Sequence, residues 1–271
     1  MKHFKLVATL LVAPIFATSA FAQDDGIDVE ASFDTLSEYV FRGESRGAQS
    51  ITSNTEISLS ENFLNGALNG LSGGLLYIAG IDPDSDVQRD EIRVYANYSV
   101  PLGDTLSVDI GGTHYYYPQF GGLFETRGGS AGSYEVYGAV GLENVPFSPQ
   151  AKVYYDLTLE NLTIEGSVGH SFNLPRANWS ANVGLTGGYV DADTSFVGGT
   201  TAQDYGYGTA TIGLNKFITE SISFYLNGNF TINSEDDTLN LDRAIADSGV
   251  AFATLDSDTK FWYGTGLAVK F

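Results

Sequence analysis

The residues at 27–42, IDVEASFDTLSEYVFR, alternate between two kinds of side chain along most of their length. Odd positions hold mainly apolar residues such as Val29 and Phe33, whereas even positions hold mainly polar or charged residues such as Glu30. Successive side chains of a β-strand point to opposite faces of the sheet. A period of two therefore predicts a strand with one apolar and one polar face.

The same alternation recurs down the chain. It is clear at 51–60, 91–100 and 105–117, weakest in the glycine-rich segment 71–81, and regular in seven further segments between Val136 and the C-terminal FWYGTGLAVKF. The pattern predicts about twelve strands, with ten or fourteen as the alternatives. Most are long enough to cross a membrane in a tilted barrel, which takes about 9–11 residues per strand, and longer than the roughly 5–6 usual in soluble sheets.

The connections between these segments alternate in length. Short ones lie at 101–104, 143–149, 173–177 and 215–219, whereas mostly longer ones, rich in Gly, Asp, Ser and Thr, lie at 82–90, 118–132, 191–204 and 233–259. Two connections break the rule: 61–70 is long for its side, and 160–161 is very short. Tight turns at one end and longer loops at the other are typical of outer-membrane barrels. We therefore expect an all-β, transmembrane, antiparallel up-and-down β-barrel.

A secreted, soluble β-sandwich or a lipocalin-like barrel would also alternate in this way. The aromatic residues of the apolar faces favour the membrane barrel, because they gather near the predicted strand ends as in girdles at two lipid interfaces. These residues are Tyr116, Tyr134, Phe172, Trp179, Tyr189, Phe224 and Phe271.

The N-terminal residues Met1–Ala22 have the features of a secretory signal. Lys2 and Lys5 precede an apolar stretch, and Ala20-Phe21-Ala22 is a cleavage site of the A-x-A type. We predict that residues 1–22 are removed during export and that residues 23–271 form the barrel.

Charge and cysteine content exclude several classes of function. The chain has 33 acidic and 13 basic residues, a net charge of −20, and no cysteine. Such a chain repels nucleic acid, and it can form no disulfide framework. We predict no cofactor and no metal site.

One short motif resembles that of a serine hydrolase. Residues 43–47 read Gly-Glu-Ser-Arg-Gly, which matches the G-x-S-x-G nucleophile elbow, but that elbow needs a helix after the turn. A strand is predicted from Ile51 onward instead. We therefore predict that Gly43 and Gly47 supply the backbone freedom of a turn, that Arg42 and Arg46 lie at the barrel mouth, and that no residue is catalytic.

The two histidines outside the signal are His114 and His170, and the alternation places both on the apolar, lipid-facing side of their strands. A lipid-directed enzyme could place a His–Ser pair on that face, yet no motif links either histidine to a serine. We predict amphipathic rings at the membrane interface, near Tyr116 and Phe172 respectively.

Two loop segments leave alternatives open. The acidic run 82–86 resembles the start of a calcium loop, but Val87 and Arg93 stand where such a loop needs Gly and Glu. We predict a solvated acidic loop and leave weak Ca²⁺ bridging open. The segment 239–248, LNLDRAIADS, predicts a short helix that could fold into the mouth.

Two longer stretches resemble a known family. The stretch 36–47, LSEYVFRGESRG, and the stretch 91–118, EIRVYANYSVPLGDTLSVDIGGTHYYYP, resemble the TorF-type porins of proteobacteria, in which an R-G-x-S-like turn ends one strand and Tyr-Pro ends a later hairpin. The family commonly has Gln after the Ser, where this chain has Arg46. The resemblance implies a barrel in the outer membrane of a Gram-negative bacterium, with a transported solute that is usually unknown.

The C-terminal strand looks like the assembly signal of bacterial outer-membrane barrels, with Tyr263, Leu267, Val269 and the terminal Phe271 on one face. The partners that this resemblance implies are the barrel-assembly machinery, outer-membrane lipid and lipopolysaccharide. The oligomeric state is left open.

The polar faces of the strands carry more acids than bases, which suggests a hydrated lumen rather than a structural plug of ion pairs. Twelve strands should leave a narrow passage. We expect a porin-like channel for passive diffusion of small solutes, cations among them, with a non-conducting structural or surface-interaction barrel and a lipid-directed enzyme as alternatives. The predicted pore-lining residues are Glu30, Asp34, Glu38, Arg42, Glu56, Arg93, Asp109, Glu135, Lys152, Asp156 and Glu165.

Overall fold

The computed structural model describes residues 26–81, 90–118, 132–175, 178–192, 204–234 and 259–271. The predicted signal at 1–22, the acidic run at 82–86 and the predicted helix at 239–248 lie outside the described residues.

The described residues form a closed antiparallel barrel of twelve strands and a separate two-stranded hairpin. In chain order the strands are β1 Ile27–Leu36, β2 Tyr39–Phe41, β3 Glu44–Gly47, β4 Ser50–Leu59, β5 Leu71–Gly80, β6 Glu91–Pro101, β7 Leu106–Tyr116, β8 Gly132–Leu142, β9 Gln150–Asp156, β10 Leu162–Asn173, β11 Trp179–Asp191, β12 Tyr205–Phe217, β13 Ile222–Asn233 and β14 Thr259–Lys270. Strands β2 and β3 form the hairpin, and the other twelve form the barrel. The predicted fold class and strand number are confirmed.

Each barrel strand pairs with the next one along the chain, apart from the excursion through β2 and β3. The barrel closes where β14 pairs with β1, Val269 lying opposite Ala31. Beyond the end of β14, the N–H of Phe271 donates to the carbonyl of Val29 at 2.9 Å. The terminal residue thus extends the ladder that joins the two ends of the sheet.

The outer surface of the barrel is a belt of exposed apolar side chains. Every barrel strand except β1 contributes at least one large, exposed hydrophobic residue to it; examples are Ile57, Leu75, Val94, Ile110, Val136, Val153, Ile164, Leu185, Ile212, Phe230 and Phe261. Cross-strand partners share a face of the sheet, and the register pairs these residues with one another, as Ile110 with Tyr98 and Ile212 with Val183. An exposed apolar surface of this extent is typical of a face that lipid covers.

The outward aromatic residues lie at the two ends of the barrel. Tyr116, Tyr134 and Tyr189 lie toward the longer loops, whereas Phe172, Trp179, Phe224 and Phe271 lie toward the short turns. This arrangement matches two girdles at two interfaces.

The connections at the two ends differ as the sequence predicts. Short connections join the strands at 102–105, 143–149, 174–178 and 218–221, all at one end of the barrel. The longer connection 60–70, which contains the 3-10 turn Phe63–Gly66, lies at this same end. Within the described parts of the chain, none of the helical segments has the length and apolar character to span a membrane.

Candidate functional site: the lumen and its inward hairpin

The chain leaves the barrel wall after Leu36 and returns to it at Ser50, and these two residues are cross-strand partners. Between them, β2 and β3 form a hairpin with Phe41 opposite Glu44. Its two turn residues, Arg42 and Gly43, have φ of 50° and 83°. Positive φ at both positions defines a type I′ turn, whose twist suits a tight hairpin.

The structure corrects three predictions about this segment. The strand predicted at 27–42 ends at Leu36, because its last residues belong to the inward hairpin. Gly43 does supply backbone freedom, but Gly47 lies in β3 and has no positive φ. Arg42 does not mark an open mouth, since its side chain is only 13% exposed.

The hairpin reaches across the barrel. It grows from β1 and β4, yet Arg42 at its tip forms a bidentate ion pair with Glu135 on β8, with N–O distances of 2.7 and 3.0 Å. The Arg42 guanidinium also lies over the ring of Tyr154 on β9, 4.2 Å from its centroid. In the barrel order, β8 and β9 are five and six strands away from β1, so they form the opposite wall.

One flank of the hairpin packs against β6 and β7. Arg93 of β6 forms an ion pair with Glu91 and donates a hydrogen bond to the hydroxyl of Tyr39. The Tyr39 hydroxyl in turn lies 3.3 and 3.4 Å from the two carboxylate oxygens of Glu91. The Arg93 guanidinium also lies 4.3 Å from the centroid of the Phe41 ring and 5.0 Å from that of Tyr115.

The other flank faces β12, β13 and β14. A Cβ added to Gly43 would stand 2.5 Å from the Cβ of Tyr207, so the turn lies directly against β12. The side-chain amide of Asn233 donates to the Gly43 carbonyl at 3.4 Å. At the base of the hairpin, Lys260 of β14 donates to Glu38 at 3.0 Å. The hairpin therefore contacts the far wall and both sides of the lumen.

The charges around the hairpin are balanced. Four ion pairs occur among the described residues, and all four lie here: Arg42–Glu135, Arg46–Glu44, Arg93–Glu91 and Lys260–Glu38. Burial raises the pKa of the Glu44 carboxyl above its ordinary value, although the Arg46 guanidinium beside it acts in the opposite direction. Four predicted pore-lining residues, Glu38, Arg42, Arg93 and Glu135, thus hold the hairpin in place.

Ser45 is placed for hydrogen bonding and not for nucleophilic attack. It lies in β3, is 4% exposed, and its hydroxyl donates to the carboxylate of Glu38. A strand, β4, follows the hairpin, so the strand–turn–helix geometry of a nucleophile elbow is missing here.

Three other predicted pore-lining acids lie away from the hairpin, in the halves of their strands nearer the short turns. Glu30 and Glu56 are cross-strand partners on β1 and β4 and line a small cavity with Ser32 and Asn54. Asp109 lies near the start of β7 and accepts a hydrogen bond from Gln150 at 3.3 Å. These carboxylates form no ion pair among the described contacts.

Four other predicted lumen residues are held by local contacts. Asp34 accepts hydrogen bonds from Thr52, at 2.9 Å, and from the hydroxyl of Tyr225. Glu165 accepts from Tyr207 at 2.5 Å and is the cross-strand partner of Lys152. Asp156 accepts from the backbone N–H groups of Thr158 and Leu159, both at 2.8 Å, and so caps the tight turn after β9.

The wall formed by β11, β12 and β13 carries neutral polar side chains. Asn215 donates to Asn182 at 3.3 Å, and Thr211 donates to Asn229 at 2.8 Å. The lumen therefore has three parts: a hairpin with paired charges, an acidic region, and a wall of amides and hydroxyls.

The two histidines sit among aromatic rings on the outer face. His114 stacks on Tyr134, its cross-strand partner, at 4.3 Å between centroids, with Tyr116 two residues along β7. His170 lies edge to face with Phe172 at 4.5 Å. In the described part of the chain, no three His, Asp or Glu side chains are grouped so as to hold a metal ion.

Comparison with known proteins places the fold among barrel proteins. The structure is similar to that of the KdgM porin, with a TM-score of 0.51, 8% sequence identity, and coverage of 90% of this chain and 99% of the porin. It is also similar to the NanC porin (TM-score 0.49, 12% identity, 90% and 100% coverage) and to LpxR from Salmonella typhimurium (TM-score 0.48, 8% identity, 89% and 99% coverage). At 8% identity the likeness to the KdgM porin shows the fold and nothing finer.

No protein-family model matches the chain, and no curated protein matches it either. Membership of the TorF-type family therefore stays a prediction. The two stretches that carry that resemblance do meet in the structure, because Tyr39 and Phe41 of the first contact Arg93 and Tyr115 of the second.

Sequence reasoning missed the hairpin and most of its aromatic contacts. Tyr39, Phe41, Tyr115, Tyr154 and Tyr207 were not predicted to form a site. The Arg-Gly dipeptide is the one local signal, since a two-residue hairpin turn favours Gly where φ is positive. Asn, Asp and Gly are the usual first residues of such a turn, and Arg42 takes that place here.

Proposed function

We propose that this protein is a porin-like channel of the bacterial outer membrane that passes small solutes by diffusion and prefers cations. The observation that carries the proposal is the closed barrel with its exposed apolar belt outside and its acids, amides and hydroxyls inside. Lipid is a suitable solvent for the first surface, and water or a polar solute for the second.

Support for the cation preference comes from unpaired carboxylates. Glu30, Glu56 and Asp109 form no ion pair among the described contacts, whereas four acids at the hairpin are paired with bases. Unpaired acids in a hydrated lumen create a negative potential that concentrates cations and repels anions. At 0.1 M salt the Debye length is about 10 Å, so the field spans a narrow lumen and weakens toward 1 M salt.

The proposed channel also needs a route to the outer membrane. Export by the signal at 1–22 would deliver the chain to the periplasm, and the C-terminal strand would present Phe271 to the barrel-assembly machinery. Lipid and lipopolysaccharide would then contact the apolar belt. The TorF-type kinship rests on the stretches 36–47 and 91–118.

The test is the reversal potential of the purified, refolded protein in a planar bilayer under a KCl gradient. We expect a cation-selective potential at 0.1 M salt that shrinks near 1 M. The variant Glu30→Gln/Glu56→Gln/Asp109→Asn should lower it, and Asp104→Asn, in the turn before β7, is a matched control outside the strands. An anion-selective potential, or an unchanged one in the triple variant, contradicts the proposed cation preference.

A second candidate is a non-conducting barrel with a structural or surface role. The observation in its favour is the hairpin itself, which crosses the lumen and has paired charges. Absence of conductance from correctly folded protein would decide for this candidate.

A further inference from the structure

We propose that the β2–β3 hairpin is the constriction that limits solute size, and that it is physically separate from the acids that select for charge. This inference rests on the proposed channel function and goes beyond it, because it assigns the two kinds of selection to different residues. The solutes that it admits are small, hydrophilic molecules, with cations favoured among them.

The size limit follows from the span of the hairpin. It is rooted on one wall of the barrel, and Arg42 at its tip meets Glu135 and Tyr154 on the opposite wall. Its flanks contact Tyr115 on one side and Tyr207 on the other. A solute that moves along the axis must pass this cross-piece, so the free space beside the hairpin limits its size.

The hairpin keeps this position through side chains. In the described part of the chain, β2 and β3 pair with each other and are not part of the barrel sheet. Their attachment consists of ion pairs, hydrogen bonds and arginine–aromatic contacts. At the tip these are the Arg42–Glu135 pair, the Arg42 guanidinium over the Tyr154 ring, and the hydrogen bond from Asn233 to the Gly43 carbonyl. Replacement of Arg42 removes the first two and should loosen the tip while leaving the barrel ladder intact.

Charge selection should lie outside the hairpin. Each basic side chain at the hairpin is matched by an acid, so these four pairs add little net field. Glu30, Glu56 and Asp109 lie near the short-turn ends of their strands, away from Arg42 and its partners. Enlarging the constriction should therefore change conductance and size limit while the sign of ion preference persists.

The first experiment removes the hairpin. Because Leu36 and Ser50 are cross-strand partners, residues 38–49 can be replaced by a four-residue turn of Gly and Asn. Single-channel conductance is measured with neutral polyethylene glycols of rising size, which lower the conductance only when they enter the passage. We expect several-fold higher conductance, entry of larger polymers, and a reversal potential that is still cation-selective.

The second experiment keeps the hairpin and releases its tip. Arg42→Gln should raise the conductance and the polymer cut-off partway toward the values of the hairpin-less variant. Arg42→Glu combined with Glu135→Arg should recover part of the wild-type behaviour by reforming the pair. Lys216→Gln removes a basic charge near the short-turn end of β12, away from the hairpin, and is the matched control that should leave the cut-off unchanged. If the hairpin-less variant does not fold, as judged by heat-modifiable migration, the conductance and polymer cut-off of these point variants test whether the hairpin limits solute size.

The outcomes separate this inference from the proposed function. Equal conductance and cut-off in wild type and hairpin-less protein overturn the constriction and leave the channel in place. A silent wild type with a conducting hairpin-less variant removes the diffusive channel but supports the hairpin as the barrier. Silence of both overturns both, and loss of cation preference in the hairpin-less variant overturns the separation of size from charge.

Discussion

Arg42 and Glu135 lie 93 residues apart in the chain, and they meet in a bidentate ion pair across the barrel lumen. Their side chains are 13% and 6% exposed, so the pair is shielded from water. Tyr115 donates a further hydrogen bond to Glu135 at 3.1 Å. The geometry meets the two conditions under which a buried pair survives its desolvation cost, namely good alignment and hydrogen bonds to the remaining oxygen atoms.

Removing one partner of this pair should destabilise the protein strongly. Arg42→Gln or Glu135→Gln leaves an unpaired buried charge, and such changes cost about 3–5 kcal/mol. The double variant should lose less than the two single losses added together, since no charge is then left alone. Urea unfolding in lipid vesicles measures the free energies. Additive losses would show that the two side chains act independently.

Replacing Gly43 by alanine should destabilise the protein more than replacing Gly103 by alanine. Both glycines have φ of +83°, but a Cβ at Gly43 would lie 2.5 Å from that of Tyr207, whereas at Gly103 no atom lies within 4 Å. Alanine at either position strains the backbone by roughly 1 kcal/mol, and at Gly43 overlap adds about 1–3 kcal/mol. The free energy of unfolding should therefore fall further in Gly43→Ala than in Gly103→Ala. Equal losses would mean that Tyr207 moves aside freely.

Phe271 should be needed for assembly through both its backbone and its side chain. Deletion removes the N–H that donates to Val29, while Phe271→Asp keeps it but places a charge at the lipid interface. Both changes should reduce the amount of barrel in the outer membrane, and Phe271→Ala should have a smaller effect. The measurement is heat-modifiable migration of the membrane fraction. Normal migration of the deletion variant would contradict a role for the terminal residue.

Lowering the pH should stabilise the packed position of the hairpin, because the buried Glu44 carboxyl then becomes protonated. Burial raises the pKa of this carboxyl in the folded protein. A group with a raised folded pKa gives its full stabilisation below its unfolded pKa, about 4.3 for Glu, and loses it as pH rises through the folded value. Compared with Glu44→Gln, the wild type should gain stability as pH falls from neutral toward about 4.3. An opposite slope of that difference would show that Arg46 outweighs burial.

The barrel could be predicted from the sequence because the pattern that indicates it, the alternation of apolar and polar residues, is contained in each strand and recurs along the chain. Alternation such as that from Ile27 to Leu36 decides which side chains face out, and its recurrence gives the strand number. The lengths of the connections give the two ends of the barrel. Closure by Phe271 on Val29 agrees with an even strand count, since the start of β1 and the end of β14 then lie at the same end of the barrel.

The inward hairpin could not be predicted in this way. Tyr39, Phe41 and Arg42 continue the alternation of β1, so period-two reasoning extends the strand through them, although the chain turns inward after Leu36. The acids Glu91 and Glu135 lie on the polar faces of their strands, as Glu30 and Glu56 do, yet among the described residues the first two are ion-paired and the last two are not.

The sequence by itself determined the class of fold and the two faces of each strand. These properties follow from the side-chain period of a strand, which each segment carries alone. Only the tertiary structure decided that Arg42 meets Glu135 and that the first loop crosses the lumen. The physical reason is that closure of twelve strands brings opposite walls within the reach of one hairpin, and no local pattern in the chain records that distance.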